Sequence, residues 1–200
     1  NNIYSNTITT SGEDGYGVYA LTNSNNNNIY SNTITTSGED GYGVIAKTSS
    51  NNNSIYSNNI TTKNNFAYGI YIQGQSTNNT IYLNNITTNN ATESFGIYLD
   101  RDVNWTVSYK NRITSLAKGI VLNTTSASNT GSFFNSFTND TIVPCSVGCA
   151  SYYYDVWLQN KSMSTTLLNV SFNKSRVYVK DSNLTVQWYL DINVTNSTNN

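Results

Sequence analysis

NNIYSNTITTSGEDGYGVYALTNSNN, spanning Asn1–Asn26, returns almost letter for letter at Asn27–Asn52 as NNIYSNTITTSGEDGYGVIAKTSSNN. The step between the two copies is 27 − 1 = 26 residues. Two further copies follow with more drift: NSIYSNNITTKNNFAYGIYIQGQSTNN from Asn53 and TIYLNNITTNNATESFGIYLDRDVNW from Thr80. A fixed step in this range marks a stacked-repeat architecture, in which one unit cannot bury its apolar face alone.

Each copy contains three short apolar-polar alternations. In the first they are Asn2-Ile3-Tyr4-Ser5, Thr7-Ile8-Thr9-Thr10 and Tyr16-Gly17-Val18-Tyr19-Ala20. Alternation at period two is the strand signal, and Ile, Val, Tyr and Thr suit a pleated surface. Asn6 stands between the first two strands, at a bend that favours a residue tolerant of left-handed backbone angles. Ser11–Gly15 and Thr22–Asn28 read as turn clusters. Three strands and three turns in one repeat describe a coil of a parallel β-helix, stacked at about 4.8 Å per coil. Helical solenoids need apolar spacing near 3.6, which is absent, and propeller blades need repeats of about 40 residues.

Stacking predicts columns. Three inward ladders are expected: Ile3, Ile29, Ile55, Ile81; Ile8, Ile34, Ile60, Ile86; and Val18, Val44, Ile70, Ile97. Each such residue contributes about 1.5–3 kcal/mol when buried. Tyr16, Tyr42, Tyr68 and Phe95 share the parity of the last ladder and are placed inside as an aromatic stack. Asn6, Asn32, Asn58 and Asn84 read as an internal amide ladder. Tyr4, Tyr30, Tyr56 and Tyr82 form one outward column, and Thr9, Thr35, Thr61 and Thr87 another.

A fifth coil is legible in Val107–Tyr109, Arg112–Thr114 and Gly119–Leu122, with its glycine displaced to 119 − 96 = 23. A sixth begins at Ser132–Asn135, where Phe133 lies two periods from Ile81 (133 − 81 = 52). Residues 1–150 are thus the β-helix. From Ser151 the strands become longer and more aromatic, so residues 151–200 are expected to form a closing coil, then a C-terminal β cap or the start of a β-sandwich-like segment. Such a cap would cover the exposed edge of the last coil.

Charged residues are 10% of the 200, the net charge is −1, and there is no His. No basic patch points to nucleic acid, and no apolar run of about 20 residues points to a membrane span. The chain has no initiator Met, starts at a repeat boundary and ends in an Asn-rich tail, and is read as a segment of a longer mature chain. Cys145 and Cys149, in PCSVGC, suit a local disulfide and an oxidising exterior. A metal centre needs more ligands than these two.

The NxIYxNxIT strings, from Asn2-Ile3-Tyr4 through Ile8-Thr9 and their copies, resemble the right-handed parallel β-helix repeat superfamily. The glycine strings at Gly17, Gly43, Gly69 and Gly96 share the resemblance. It is closest to the NosD-like and archaeal cell-surface β-helices, and the tail Asn183–Thr195 looks like segments that follow such helices. The resemblance implies an all-β, right-handed parallel β-helix with three strands and about 26 residues per coil and about six coils. The copper-maturation role of some relatives does not suit a chain with no His and one Met.

Chemical candidates are few. Asp100-Arg101-Asp102, near Lys110, Arg112 and Lys118, is the one compact charged constellation, and paired carboxylates serve glycoside hydrolysis. Its place at a turn after Gly96–Leu99 reads instead as ordinary solvated loop charge. Glu13-Asp14 and Glu39-Asp40 stack one coil apart and could gather calcium, but the third coil has Asn64-Asn65 there. The Thr7/Thr9 and Thr33/Thr35 pairs suggest an ice-binding array, which Asn59 and Asn85 break.

Asn-x-Ser/Thr glycosylation acceptors are plentiful: Asn52, Asn78, Asn90, Asn104, Asn123, Asn139, Asn160, Asn169, Asn173, Asn183, Asn193 and Asn196. Asn52, Asn78 and Asn104 step regularly by 26 (78 − 52 and 104 − 78). Asn59 and Asn85 also match, but lie among packed strands. The outward Tyr columns are either contact surface or a ladder that stiffens the rod.

The expected function is that of a non-enzymatic, extracellular structural segment of a cell-surface or filament-forming protein, used for assembly or adhesion. Self-association into a filament or surface layer is the expected partnership, with glycans as a second partner class, and no cofactor or resident metal is expected. The alternatives are a carbohydrate-binding β-helix module and a polysaccharide-degrading lyase or hydrolase.

Overall fold

Each repeat folds as one coil of three short strands. The computed structural model describes residues 1–90, 92–123 and 131–190. The first coil holds β1 (Asn2–Tyr4), β2 (Thr7–Thr10) and β3 (Val18–Leu21); the second β4 (Asn28–Tyr30), β5 (Thr33–Thr36) and β6 (Val44–Lys47). The third holds β7 (Ser54–Tyr56), β8 (Asn59–Thr62) and β9 (Ile70–Gln73); the fourth β10 (Thr80–Tyr82), β11 (Asn85–Thr88) and β12 (Phe95–Asp100). The fifth holds β13 (Val107–Tyr109), β14 (Arg112–Ser115) and β15 (Lys118–Asn123). The sixth holds β16 (Ser136–Thr138), β17 (Thr141–Val143) and β18 (Tyr154–Gln159). A seventh keeps β19 (Thr165–Leu168) and β20 (Val177–Lys180), and β21 (Leu184–Gln187) follows.

Equivalent strands pair in parallel and build three sheets. The first runs β1-β4-β7-β10-β13-β16-β19-β21, the second β2-β5-β8-β11-β14-β17, and the third β3-β6-β9-β12-β15-β18-β20. The fold is an all-β parallel solenoid of about six turns. Ile3 pairs with Ile29 and Ile29 with Ile55, so the expected columns stand in register. The inward Ile, Val and Leu of the three sheets form one continuous core from Val18 to Val170.

Two columns of asparagine line the corners. In the expected one, each amide donates to the next: Asn32 to Asn58 at 3.0 Å, Asn58 to Asn84 at 3.0 Å and Asn84 to Asn111 at 2.9 Å. Each amide also donates to a backbone carbonyl of the preceding coil, as Asn58 does to Ile29. These amides are buried, so the ladder satisfies polar groups that water cannot reach. A second ladder runs through Asn1, Asn27, Asn53 and Asn79. The turn-cluster reading of Thr22–Asn28 concealed it, although its own step of 26 was visible.

Four expectations need correction. The left-handed bend residue is Ser5 (φ +55°), not Asn6, and Ser31, Ser57, Leu83 and Lys110 repeat it. Asn6 is spent on the ladder instead, so the residue before it absorbs the turn. Phe133 does not continue the Ile81 column: Ile81 pairs with Ser108 and Ser108 with Phe137. Phe133 sits at the corner, bridged to Met163, because inserted residues lengthen the fourth and fifth coils. The segment from Ser151 is no sandwich among the described residues. β18, β19, β20 and β21 join the first and third sheets in parallel, so the coils continue past residue 150. Lastly, Asn104 does not share the column of Asn52 and Asn78. It bridges Thr77, and Trp105 takes the Asn78 position with the same left-handed backbone.

Candidate functional site

The third sheet carries a second apolar layer on its outer face. One column runs Tyr19, Ile45, Tyr71, Tyr98, Val121 and Trp157 through successive strands. Beside it Tyr16, Tyr42, Tyr68 and Phe95 stack at centroid spacings of 5.1, 4.9 and 4.8 Å. Rings of the two columns meet edge to face, as Phe95 and Tyr98 do at 5.3 Å. The Tyr16 column therefore lies outside the core, contrary to expectation. The cause is the glycine that follows each ring. A Cβ on Gly43 would lie 2.3 Å from Ile60 Cγ2, so Gly43 faces the core, and so does Val44. Two successive inward residues reset the alternation and leave Tyr42 outside.

Lys118 interrupts this aromatic column in the fifth coil, in register with Phe95. Its ammonium is enclosed, 4.6 Å from the Phe95 centroid and 4.3 Å from that of Trp157. It pairs with Glu93 at 3.3 Å, and the Glu93 side chain is 52% exposed. Burying an ammonium is costly without a partner; one carboxylate and two ring faces supply it here. The indole Nε1 of Trp157 is shielded from solvent and has no hydrogen-bond partner.

Glu93 and Lys118 line two adjoining hollows. One, of about 340 Å³, extends to Phe66, Asn123, Trp157 and Gln159. The other, of about 350 Å³, extends to Thr92, Cys149, Ser151 and Tyr152. The disulfide Cys145–Cys149, as expected from the sequence, closes the loop that walls the second hollow (Cα–Cα 5.8 Å). Phe66 and Tyr152 are exposed at the two ends. Phe66 belongs to a corner column of left-handed residues, Asp14, Asp40, Phe66 and Glu93. In the first two coils the aspartates accept the Tyr16 and Tyr42 hydroxyls at 3.0 and 3.3 Å. The third coil substitutes a bulky aromatic at this strained position.

In the sequence Lys118 falls near Asp100-Arg101-Asp102, and that proximity masks the groove. A signal existed: Lys118 precedes the displaced Gly119, where every earlier coil has an aromatic ring. Asp100 is itself corrected, from solvated loop charge to a buried carboxylate. It accepts from the Tyr71 hydroxyl at 3.1 Å, Gln73 Nε2 at 3.2 Å and Arg101 Nε at 3.1 Å. Among the described residues no three His, Cys, Asp or Glu side chains converge on a metal position.

The glycosylation acceptors divide by geometry. Asn52, Asn78, Asn160 and Asn183 are exposed, while Asn90, Asn104, Asn123, Asn139, Asn169 and Asn173 are half-buried. Asn59 and Asn85 are exposed on their strands. The Nδ2 of Asn85, Asn160 and Asn169 donates to Asn59, Asn123 and Asn139 at 3.0, 2.9 and 2.8 Å, which occupies the atom that glycosylation needs. Asn193 and Asn196 lie outside the described residues.

The Tyr4, Tyr30, Tyr56, Tyr82 and Tyr109 rings stack at 5.0, 4.8, 4.7 and 4.8 Å. Tyr30, Tyr56 and Tyr82 are covered on both faces, so their edges and hydroxyls meet solvent, while Tyr4 at the end of the ladder is 53% exposed. No protein-family model, no curated protein and no solved structure matches the chain.

Proposed function

We propose that the chain is a non-enzymatic, extracellular β-helical segment of a cell-surface or filament-forming protein, related in kind to NosD-like surface β-helices. Its task is to hold distance and present a surface for assembly or adhesion. The observation that carries this reading is the self-use of its side chains. Two asparagine ladders and the Tyr4 ladder bond each coil to the next, so much of the sequence is committed to stiffness along the axis. The disulfide supports an oxidising location, where such bonds persist. Among the described residues no helix is long and apolar enough to cross a membrane.

Two measurements test the reading. Electron microscopy of the secreted protein should show straight rods whose long axis does not vary between particles. Incubation with polysaccharides should yield no new reducing ends or unsaturated products. Turnover that Asp100→Asn or Glu93→Gln abolishes would make the chain an enzyme and overturn the proposal.

A further inference from the structure

The groove at Lys118 differs from the rest of the surface in a way stiffness does not explain. On the first sheet the outward rings Tyr30, Tyr56 and Tyr82 stack in a ladder that hides their faces. Phe66, in one hollow, and Tyr152, in the other, are exposed and stacked on no other ring among the described residues. Phe66 adopts φ +51°, a conformation unfavourable for a bulky side chain, and 38% of its surface stays exposed to solvent. Between these rings lie a half-exposed carboxylate and the Gln159 and Asn123 amides, Gln159 donating to Asn123 at 3.0 Å.

We infer that this groove binds a neutral saccharide chain, with sugar rings against Phe66 and Tyr152 and hydroxyls on Glu93 and Gln159. Pyranose rings offer apolar C–H faces to aromatic rings and hydroxyls to carboxylates and amides. Each hollow is at the lower end of the range for ligand sites, about 300–1,000 Å³, as suits one or two sugar units. The charge pattern selects against acidic sugars. Glu93 already neutralises Lys118, so an incoming uronate would have to displace Glu93 and lie beside it. A phosphate backbone meets the same obstacle and finds no basic patch. The inference goes beyond the scaffold reading and does not rest on it: a rod that binds no sugar keeps its mechanical role.

The test is calorimetric titration of the intact chain, disulfide closed, with short β-1,4-glucan, mannan, xylan and N-acetylglucosamine oligomers, with an oligogalacturonate as the charged comparison. At least one neutral oligomer should bind and outcompete the galacturonate. Phe66→Ala and Tyr152→Ala, both at exposed positions, should each weaken binding by about tenfold, the scale of one lost aromatic contact. Glu93→Gln should weaken it similarly, and Tyr56→Ala, in the closed ladder, should leave it unchanged. Thermal melts of each variant identify any that fail to fold. Absence of binding by every neutral oligomer, preference for the galacturonate, or affinity indifferent to Phe66→Ala would each overturn the inference.

Discussion

Asp140 takes the sixth position of a column otherwise made of asparagine. It accepts the Asn111 backbone N–H at 2.7 Å and the Asn111 amide at 2.9 Å, as a ladder asparagine would. Its other oxygen lacks the hydrogens that a ladder amide would donate, and the Ser108 hydroxyl donates to it at 2.8 Å. That explains why Ser108 interrupts the isoleucine column beneath Phe137: the carboxylate needs a donor there. Burial pushes the Asp140 carboxyl up from 3.8 to about 6. A carboxyl raised in the folded state contributes stability that is complete below the unfolded value and lost as pH rises through the folded one. Asp140→Asn should therefore raise stability at pH near 7.5 by up to about 3 kcal/mol and bring little change near pH 3.5. Urea midpoints of the two proteins at both pH values check this, and equal midpoints at pH 7.5 would contradict it. The sequence showed the ladder through its period but not this exception, because inserted residues in the fourth and fifth coils move Asp140 out of simple arithmetic. The Asn6 bend was misread for another reason. Local preference favours asparagine in left-handed backbone, and here the ladder's demand for a buried amide outweighed it.

Elements succeed or fail by how closely coils approach. The corner glycines of the third sheet have isoleucine methyls of the next coil seated on them. Gly43→Ala would bring a Cβ within 2.3 Å of Ile60 Cγ2 and 2.5 Å of Gly69 O, and should cost about 1–3 kcal/mol or more. Gly12 has nothing within 4 Å of such a Cβ, so Gly12→Ala should be nearly neutral. Similar melting temperatures for the two variants would show that the coils are not packed as described. Asn58→Ala removes the acceptor of the Asn32 backbone N–H, one of the two bonds of the Asn32 amide and the donor to the Ile29 carbonyl, all in the core; the stranded N–H alone costs about 1–3 kcal/mol. Chemical denaturation should rank it well below Asn59→Ala, whose side chain is on the outer face. Strand positions and registry were legible because duplication repeats them letter for letter. Which side of the sheet the Tyr16 column occupies was not, since two inward residues at a corner break period two without leaving a mark in composition.

At the scale of the whole molecule, burial ties the aromatic layer to folding. Tyr42, Tyr68, Tyr71 and Tyr98 are all raised above the ordinary phenol value, chiefly by burial, and Tyr16 is pushed up to about 12. A phenol raised in the folded state stays neutral while its unfolded counterpart ionises near 10, so stability falls as pH rises above that value. Tyrosinate absorbance should show a steep late step that coincides with loss of β-sheet circular dichroism. Free titration of all 16 tyrosines near pH 10 with the sheet signal intact would refute the buried layer. After Ser151 the strands lengthen and lose the NxIYxNxIT string, which suggests one closing coil and then a cap or sandwich-like segment. The sheets continue all the same, since parallel pairing needs inward apolar residues at the right step, not a particular motif. Binding chemistry was the least legible part. Phe66, Glu93, Lys118 and Tyr152 come from four places in the chain and meet only through the coil.

Spin labels at Thr9 and at Thr87, Thr114 or Val143, members of one outward column, measure the stacking itself. Electron-electron distances should rise in equal steps to about 14, 19 and 24 Å, in proportion to coils crossed and not to residues between. Distances that fail to step with coil number would contradict the β-helix and everything placed upon it.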